Sequence, residues 1–160
     1  DAPSQCQPLQ LKPLMTTLLG SYSQGSITLK VENGSEGLAV AGDEDRLRAL
    51  FGHMLRNALE ATGERGGVTL SLGASGGRAI VEVSDTGAGM AADFVLNQLF
   101  KPFHSTKSGG LGIGAYQCRE YARELGGDIE VITSPGSGTT MRILLPLART
   151  PDGKRVALTG

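Results

Sequence analysis

The chain has 160 residues, 24 of them glycine, and a formal net charge of −1. That length suits one domain with a real core. A near-neutral balance without a dense basic patch argues against a nucleic-acid partner held by electrostatics. Cys6 and Cys118 read as reduced thiols of a cytosolic fold. No apolar run approaches the roughly 20 residues of a membrane span, and no signal-peptide pattern opens the chain. The expectation is a soluble, monomeric, cytoplasmic domain. The start at Asp1 without Met suggests a mature product or an excised piece of a longer protein.

In chain order, residues 1–8 read as a flexible start and Leu9 to Leu11 as a short strand. Pro13 to Leu19 reads as a helix, since proline is tolerated in a first turn. Ser26 to Val31 alternates Ile27, Leu29 and Val31 with polar residues, a strand pattern. Asn33-Gly34 turns the chain, with Leu38 to Ala41 as the expected hairpin partner. Asp43 or Asp45 can cap a long helix whose apolar stripe includes Leu47, Leu50, Phe51, Met54, Leu55 and Ala58. Val68 to Leu72 and Ala79 to Val83 form a second hairpin. Phe94 to Phe100 is weakly helical, and Lys101 to Gly110 is a loop. A helix begins near Ile113, carries Ala115, Cys118, Ala122 and Leu125 on one stripe, and stops at Gly126-Gly127. Asp128 to Thr133 and Thr139 to Leu145 are the last strands, and residues 147–160 are a polar tail. The sum is a two-layer α/β sandwich: a mixed, mainly antiparallel sheet covered on one face by three helices.

Several segments carry chemistry. His53 and Asn57 are four apart and share a helix face. The Asn57 carboxamide oxygen suits a hard cation such as Mg2+, against the plainer reading of a surface Asn beside a core-edge His. Asp85 ends a strand and precedes Gly87 and Gly89, so its carboxylate can accept from a ligand amine while backbone approaches closely. A lone Asp-Thr-Gly is not an aspartic protease, which needs two carboxylates sharing a proton. Gly109 to Gly114 leads into a helix whose free N–H groups can cradle phosphate. It matches neither a P-loop nor a dinucleotide fingerprint. Lys107 can reach a terminal phosphate as a point charge, and Ser105 and Thr106 lie beside it. Phe100 and Phe103 can anchor the base of this loop, and Thr139 can contact a base directly or through water.

These segments resemble the catalytic and ATP-binding domain of sensor histidine kinases, in the superfamily shared with gyrase B, Hsp90 and MutL. His53-Met54-Leu55-Arg56-Asn57-Ala58 is similar to the N box and Asp85-Thr86-Gly87-Ala88-Gly89-Met90 to the G1 box. Leu99 to Lys107 resembles the F box and its flank, Gly109-Gly110-Leu111-Gly112-Ile113-Gly114 the G2 box, and Gly136-Ser137-Gly138-Thr139-Thr140 the last glycine box. The stretch Gly114 to Tyr121 further resembles PrsK-type kinases of exosortase-linked, PEP-CTERM systems.

The resemblance implies a Bergerat-type fold over residues 9–146 that binds ATP and Mg2+. Asn57 would ligate the metal. Asp85 would accept from the adenine amine, with Thr139 assisting and Gly87 and Gly89 allowing close approach. Phe103 would fasten the ATP lid, and Lys107, with Ser105 and Thr106, would be a lid-side contact. Gly110, Leu111, Gly112, Ile113 and Gly114 would line the phosphates. His53 would act near the γ-phosphate. It stands four residues before Asn57, where hydrolytic relatives carry a water-activating Glu, which favours transfer over hydrolysis. Family members often place Lys or Arg three residues after the N-box Asn; here Glu60 stands there, so a basic phosphate contact is missing or Glu60 turns outward. The acceptor histidine would lie on an upstream dimerisation domain, and a response regulator would receive the phosphoryl group. The parent would be either soluble or anchored in the inner membrane. Two other readings stay open: an anti-sigma-type serine kinase using the same pocket, and a non-enzymatic nucleotide sensor or interaction module.

Overall fold

Alternation and helical stripes sort the chain into two layers. The structure, a computed structural model, describes residues 8–21, 27–62, 67–87, 114–133 and 135–148. In order these form β1 (Pro8–Gln10), α1 (Leu11–Leu19), β2 (Ile27–Val31), β3 (Ala39–Ala41), α2 (Glu44–Thr62), β4 (Val68–Ser75) and β5 (Arg78–Asp85). There follow α3 (Ala115–Glu124), β6 (Asp128–Thr133) and β7 (Thr139–Pro146). The main sheet runs β2-β4-β5-β7-β6. β2 pairs parallel to β4, and the other three pairings are antiparallel. The mixed, mainly antiparallel sheet and its one-sided helical cover are therefore as expected.

Side-chain period two makes one sheet face apolar. Val68, Leu70 and Leu72 of β4, Ala79, Val81 and Val83 of β5, and Met141, Ile143 and Leu145 of β7 are all buried on it. Leu47, Leu50, Phe51, Met54, Leu55 and Ala58 of α2 supply the opposing stripe, joined by Leu14, Met15 and Leu18 of α1 and Cys118 and Ala122 of α3. The other face is mixed, with Ile80, Leu144 and Ile132 beside a charged row. Arg142 donates to Glu82 at 2.6 Å and to Glu130 at 3.2 Å across three neighbouring strands. On β5 this face carries Glu82 and Ser84, which alternate with the buried Val81 and Val83. Cys118 is a free buried thiol, and desolvation pushes it up to about 12, so it stays protonated and acts as a small core hydrophobe.

One pairing differs from expectation. Ala39–Ala41 does not return as a hairpin on Ile27–Val31. The Asn33-Gly34 turn is there, with Ser35 N–H donating to the Glu32 carbonyl at 2.9 Å and Gly34 at φ 82°. Yet β2 aligns along β4, while β3 pairs antiparallel with β1. Ala39 and Val40 are fully buried, and Ala148 N–H donates to the Ala39 carbonyl at 2.8 Å. Lodged between β1 and residues 147–148, the strand has no edge left for β2. Small boundary shifts accompany this: α1 begins at Leu11, with Pro13 still in its first turn, and α3 begins at Ala115.

The helix ends explain how α2 and α3 are fixed. Asp43 caps α2, its Oδ2 accepting from Arg46 N–H at 2.9 Å. In a capping box the residue at Arg46 would accept from the Asp43 N–H, but a guanidinium cannot accept. Instead the Tyr121 hydroxyl, from α3, accepts that N–H at 2.7 Å. Arg46 stacks over the Tyr121 ring at 3.9 Å and pairs with Glu124 at 3.3 Å. Gly126, at φ 91°, and Gly127 close α3 by donating to the Arg123 and Ala122 carbonyls, a Schellman end. Arg119 and Arg123 then hold Asp128 at the start of β6.

Candidate nucleotide site

The N-box pair sits on the flank of α2. His53 and Asn57 are half-buried beside the fully apolar stripe. Asn57 Nδ2 lies 3.0 Å from His53 Nε2. With the amide nitrogen on this side it donates to the imidazole at Nε2, and the carboxamide oxygen is the atom with cation-ligating chemistry. Glu60, three residues on, is exposed. Among the described residues no group of three or more His, Cys, Asp or Glu side chains is placed to hold a metal. A neutral amide oxygen fits a Mg2+ whose remaining ligands are phosphate oxygens and water.

Asp85 is the last residue of β5, at the end of the apolar face. Its Oδ1 accepts from Gly87 N–H at 2.8 Å and from Thr139 N–H at 3.3 Å. Two backbone donors on one oxygen fix the carboxylate plane, and the second oxygen keeps its acceptor capacity. Thr86 accepts from Gly67 N–H at 3.1 Å, tying the turn to the start of β4. Two glycines permit this geometry. A methyl at Gly138, which has φ 80°, would lie 2.2 Å from the Asp85 carbonyl oxygen. A methyl at Gly87 would lie 2.6 Å from the Ala61 carbonyl oxygen. The G1 turn thus sits directly on the last turn of α2, four residues beyond Asn57. That close approach brings the predicted amide and the predicted carboxylate to one end of the helix–sheet interface.

Gly114 is the N-cap of α3, in extended conformation, and donates to Gln117 Oε1 at 3.0 Å. Gly89, Phe103, Ser105, Thr106, Lys107, Gly110, Leu111, Gly112 and Ile113 lie outside the described residues. Thr139 is half-buried, and its hydroxyl lies 2.8 Å from that of Thr133. Thr133 is not among the residues that the sequence motifs single out. The available signal was a hydroxyl at an inward position of β6, in the register of Ile129 and Val131.

Residues 42–149 match the family described as histidine kinase-, DNA gyrase B-, and HSP90-like ATPase. Sporulation kinase C of Bacillus subtilis (strain 168) is 33% identical over 135 residues, covering 83% of this chain and 31% of that protein. The C4-dicarboxylate transport sensor protein DctB of Rhizobium meliloti (strain 1021) is 37% identical over 122 residues, covering 75% of this chain and 19% of that protein. The chain thus spans about a third or less of these relatives' length. Among solved structures, the catalytic domain of histidine kinase ThkA superposes with TM-score 0.77 at 22% identity, covering 88% of this chain and 94% of that one. Full-length ShkA in complex with AMPPNP gives TM-score 0.75 at 28% identity, covering 90% of this chain and 31% of that one. The chain belongs to the histidine kinase-, DNA gyrase B- and HSP90-like ATPase family.

Proposed function

We propose that this chain is the ATP-binding catalytic domain of a two-component sensor histidine kinase. It would hand the γ-phosphoryl group of ATP to a histidine on a separate upstream dimerisation domain, for relay to a response regulator. The carrying observation is the seating of Gly87 on Ala61, which joins the Asp85 turn to the helix bearing Asn57. Family membership and the kinase relatives support the same reading.

In this reading the Asp85 carboxylate accepts from the adenine amine, with Thr139 beside it. His53 holds the Asn57 amide so that its oxygen is presented to Mg2+. The metal, when bound, neutralises charge on the phosphates. Phe103, Ser105, Thr106, Lys107 and the glycines from Gly110 to Gly114 supply the lid and phosphate contacts. Phosphoryl transfer asks the protein for positioning and charge neutralisation, which is what a rigid amide, a fixed carboxylate and a glycine loop provide. The catalytic unit is taken as residues 9–146. The Gly114 to Tyr121 wording supports the narrower PrsK-type assignment, which an adjoining exosortase-linked gene set would test.

The deciding experiment adds the upstream helical domain of the parent in trans, with γ-labelled ATP. Acid-labile label on histidine is expected. Acid-stable label on serine would replace the reading with an anti-sigma-type kinase. ATP binding with no transfer to any cognate acceptor would leave a nucleotide sensor.

A further inference from the structure

β6 places Ile129 and Val131 on the helix-covered face, and Thr133 follows in the same register. Across the ladder Thr133 faces Thr139, and Thr139 faces Asp85. Three polar side chains therefore line one row at the end of an otherwise apolar face. Their protons can be counted. Thr133 Oγ1 lies 3.0 Å from the Gly138 carbonyl, which can only accept, so the single Thr133 hydroxyl proton goes there. Thr133 and Thr139 hydroxyl oxygens are 2.8 Å apart, and that bond now needs its proton from Thr139. The Thr139 hydroxyl is thereby turned toward Thr133 and keeps only lone pairs for anything else. Its backbone N–H is taken by Asp85 Oδ1.

We propose that Thr133 is a specificity-determining positioning residue: by taking the Thr139 hydroxyl proton, it makes this end of the pocket accept only. Asp85 and Thr139 then both present acceptors where the purine edge meets them directly. A row of acceptors favours a 6-amino purine and disfavours a 6-oxo purine, whose ring carbonyl would meet lone pairs. This inference rests on the adenine reading of Asp85 and adds a residue that touches no ligand.

The test titrates ATP and inosine triphosphate into the chain by calorimetry. Wild type should prefer ATP. Thr133→Val keeps the branched shape but frees the Thr139 proton to turn toward the ligand. The ATP-over-inosine triphosphate ratio should fall by about fivefold, the worth of one net hydrogen bond. Thr133→Ser should restore the wild-type ratio, and Thr133→Val should have no further effect in a Thr139→Val background. Thr133→Ala serves if the valine variant fails to fold. An unchanged ratio in the folded valine or alanine variant overturns the proposal and leaves the adenine reading standing. So does an equal loss in the serine variant, or an undiminished effect without the Thr139 hydroxyl. A wild-type chain that binds the two nucleotides equally overturns the adenine reading and this inference with it.

Discussion

Gly87→Ala tests the contact on which the site depends. The added methyl would lie 2.6 Å from the Ala61 carbonyl oxygen, 2.8 Å from its carbon and 2.9 Å from the Ala61 methyl. Backbone cannot swing aside as a side-chain tip can, so the turn or the end of α2 must retreat by about 0.8 Å to reach ordinary contact at 3.4 Å. Overpacking of this kind costs about 1–3 kcal/mol. Gly87 is not among the glycines with positive φ, so alanine adds no dihedral strain and even removes about 0.4–1 kcal/mol of unfolded-state entropy. Gly67→Ala measures that gain alone, because a methyl there meets nothing within 4 Å. The melting temperature should fall by about 2–4 °C for each net kcal/mol lost. ATP affinity and transfer should fall further, on the order of tenfold to a hundredfold, because the retreat separates Asp85 from Asn57. Thermal melts and ATP titrations of the two variants decide it. If Gly87→Ala matches Gly67→Ala in both stability and ATP affinity, the seating of the turn on α2 does not set the site.

Asn57→Ala should abolish Mg-ATP-dependent transfer with an unchanged circular dichroism melt, since alanine's better helix propensity, about 0.6 kcal/mol, offsets the lost bond to His53; near-normal transfer would remove its assigned role. Asp85→Asn should weaken ATP binding and the preference for ATP over GTP, measured by calorimetry, because the one amide oxygen stays with the two backbone N–H groups and the amide nitrogen then faces the amine with donors. Tyr121→Phe leaves the Asp43 N–H without its acceptor and should cost about 1 kcal/mol in urea denaturation, with ATP affinity unchanged. Asp128 is held below the usual carboxylate value of 3.8: desolvation raises it, but the Ile129 N–H and the Arg119 and Arg123 guanidiniums lower it more. Its contribution to stability is therefore present above its unfolded value and lost as pH falls through the lowered one. Asp128→Asn should be less stable than wild type in urea at pH 7, and the gap should shrink as pH drops below 3.8.

The local signals in the sequence held where the structure they imply is local. The apolar stripe from Leu47 to Ala58, the acid cap at Asp43 and the Gly126-Gly127 stop marked α2 and α3, because each is a contact within a few residues. The hairpin of β4 and β5 was legible for the same reason. The partner of Ala39–Ala41 was not. The Asn33-Gly34 turn forms, but which strand a three-residue segment joins depends on β1 and on Leu147 and Ala148, far away in sequence. Asp85 and Asn57 stood out as polar groups beside glycine or within an apolar helix. Tyr121 stood outside the predicted α3 stripe, and its bond to Asp43, 78 positions away, cannot be read from local pattern. Thr133 read as the last residue of a strand, since a hydroxyl relay needs two strands in register to exist.

The order of the main sheet has a consequence for how the site is assembled and kept. β4 with β5, and β6 with β7, are each formed by neighbours in sequence, the first across Gly76 and Gly77 at φ 61° and 81°. The β5–β7 pairing is different: it aligns Asp85 with Thr139, 54 positions apart. The acceptor row therefore lies on the seam between two hairpins and does not exist in either one alone. A nucleotide bridging Asp85 and Thr139 would act as a clasp on that seam. Closing the intervening chain costs free energy only as the logarithm of its length, so a few added residues there would leave the clasp in place. Hydrogen exchange at the β5–β7 amides should accordingly slow most when nucleotide is added, ahead of amides within either hairpin.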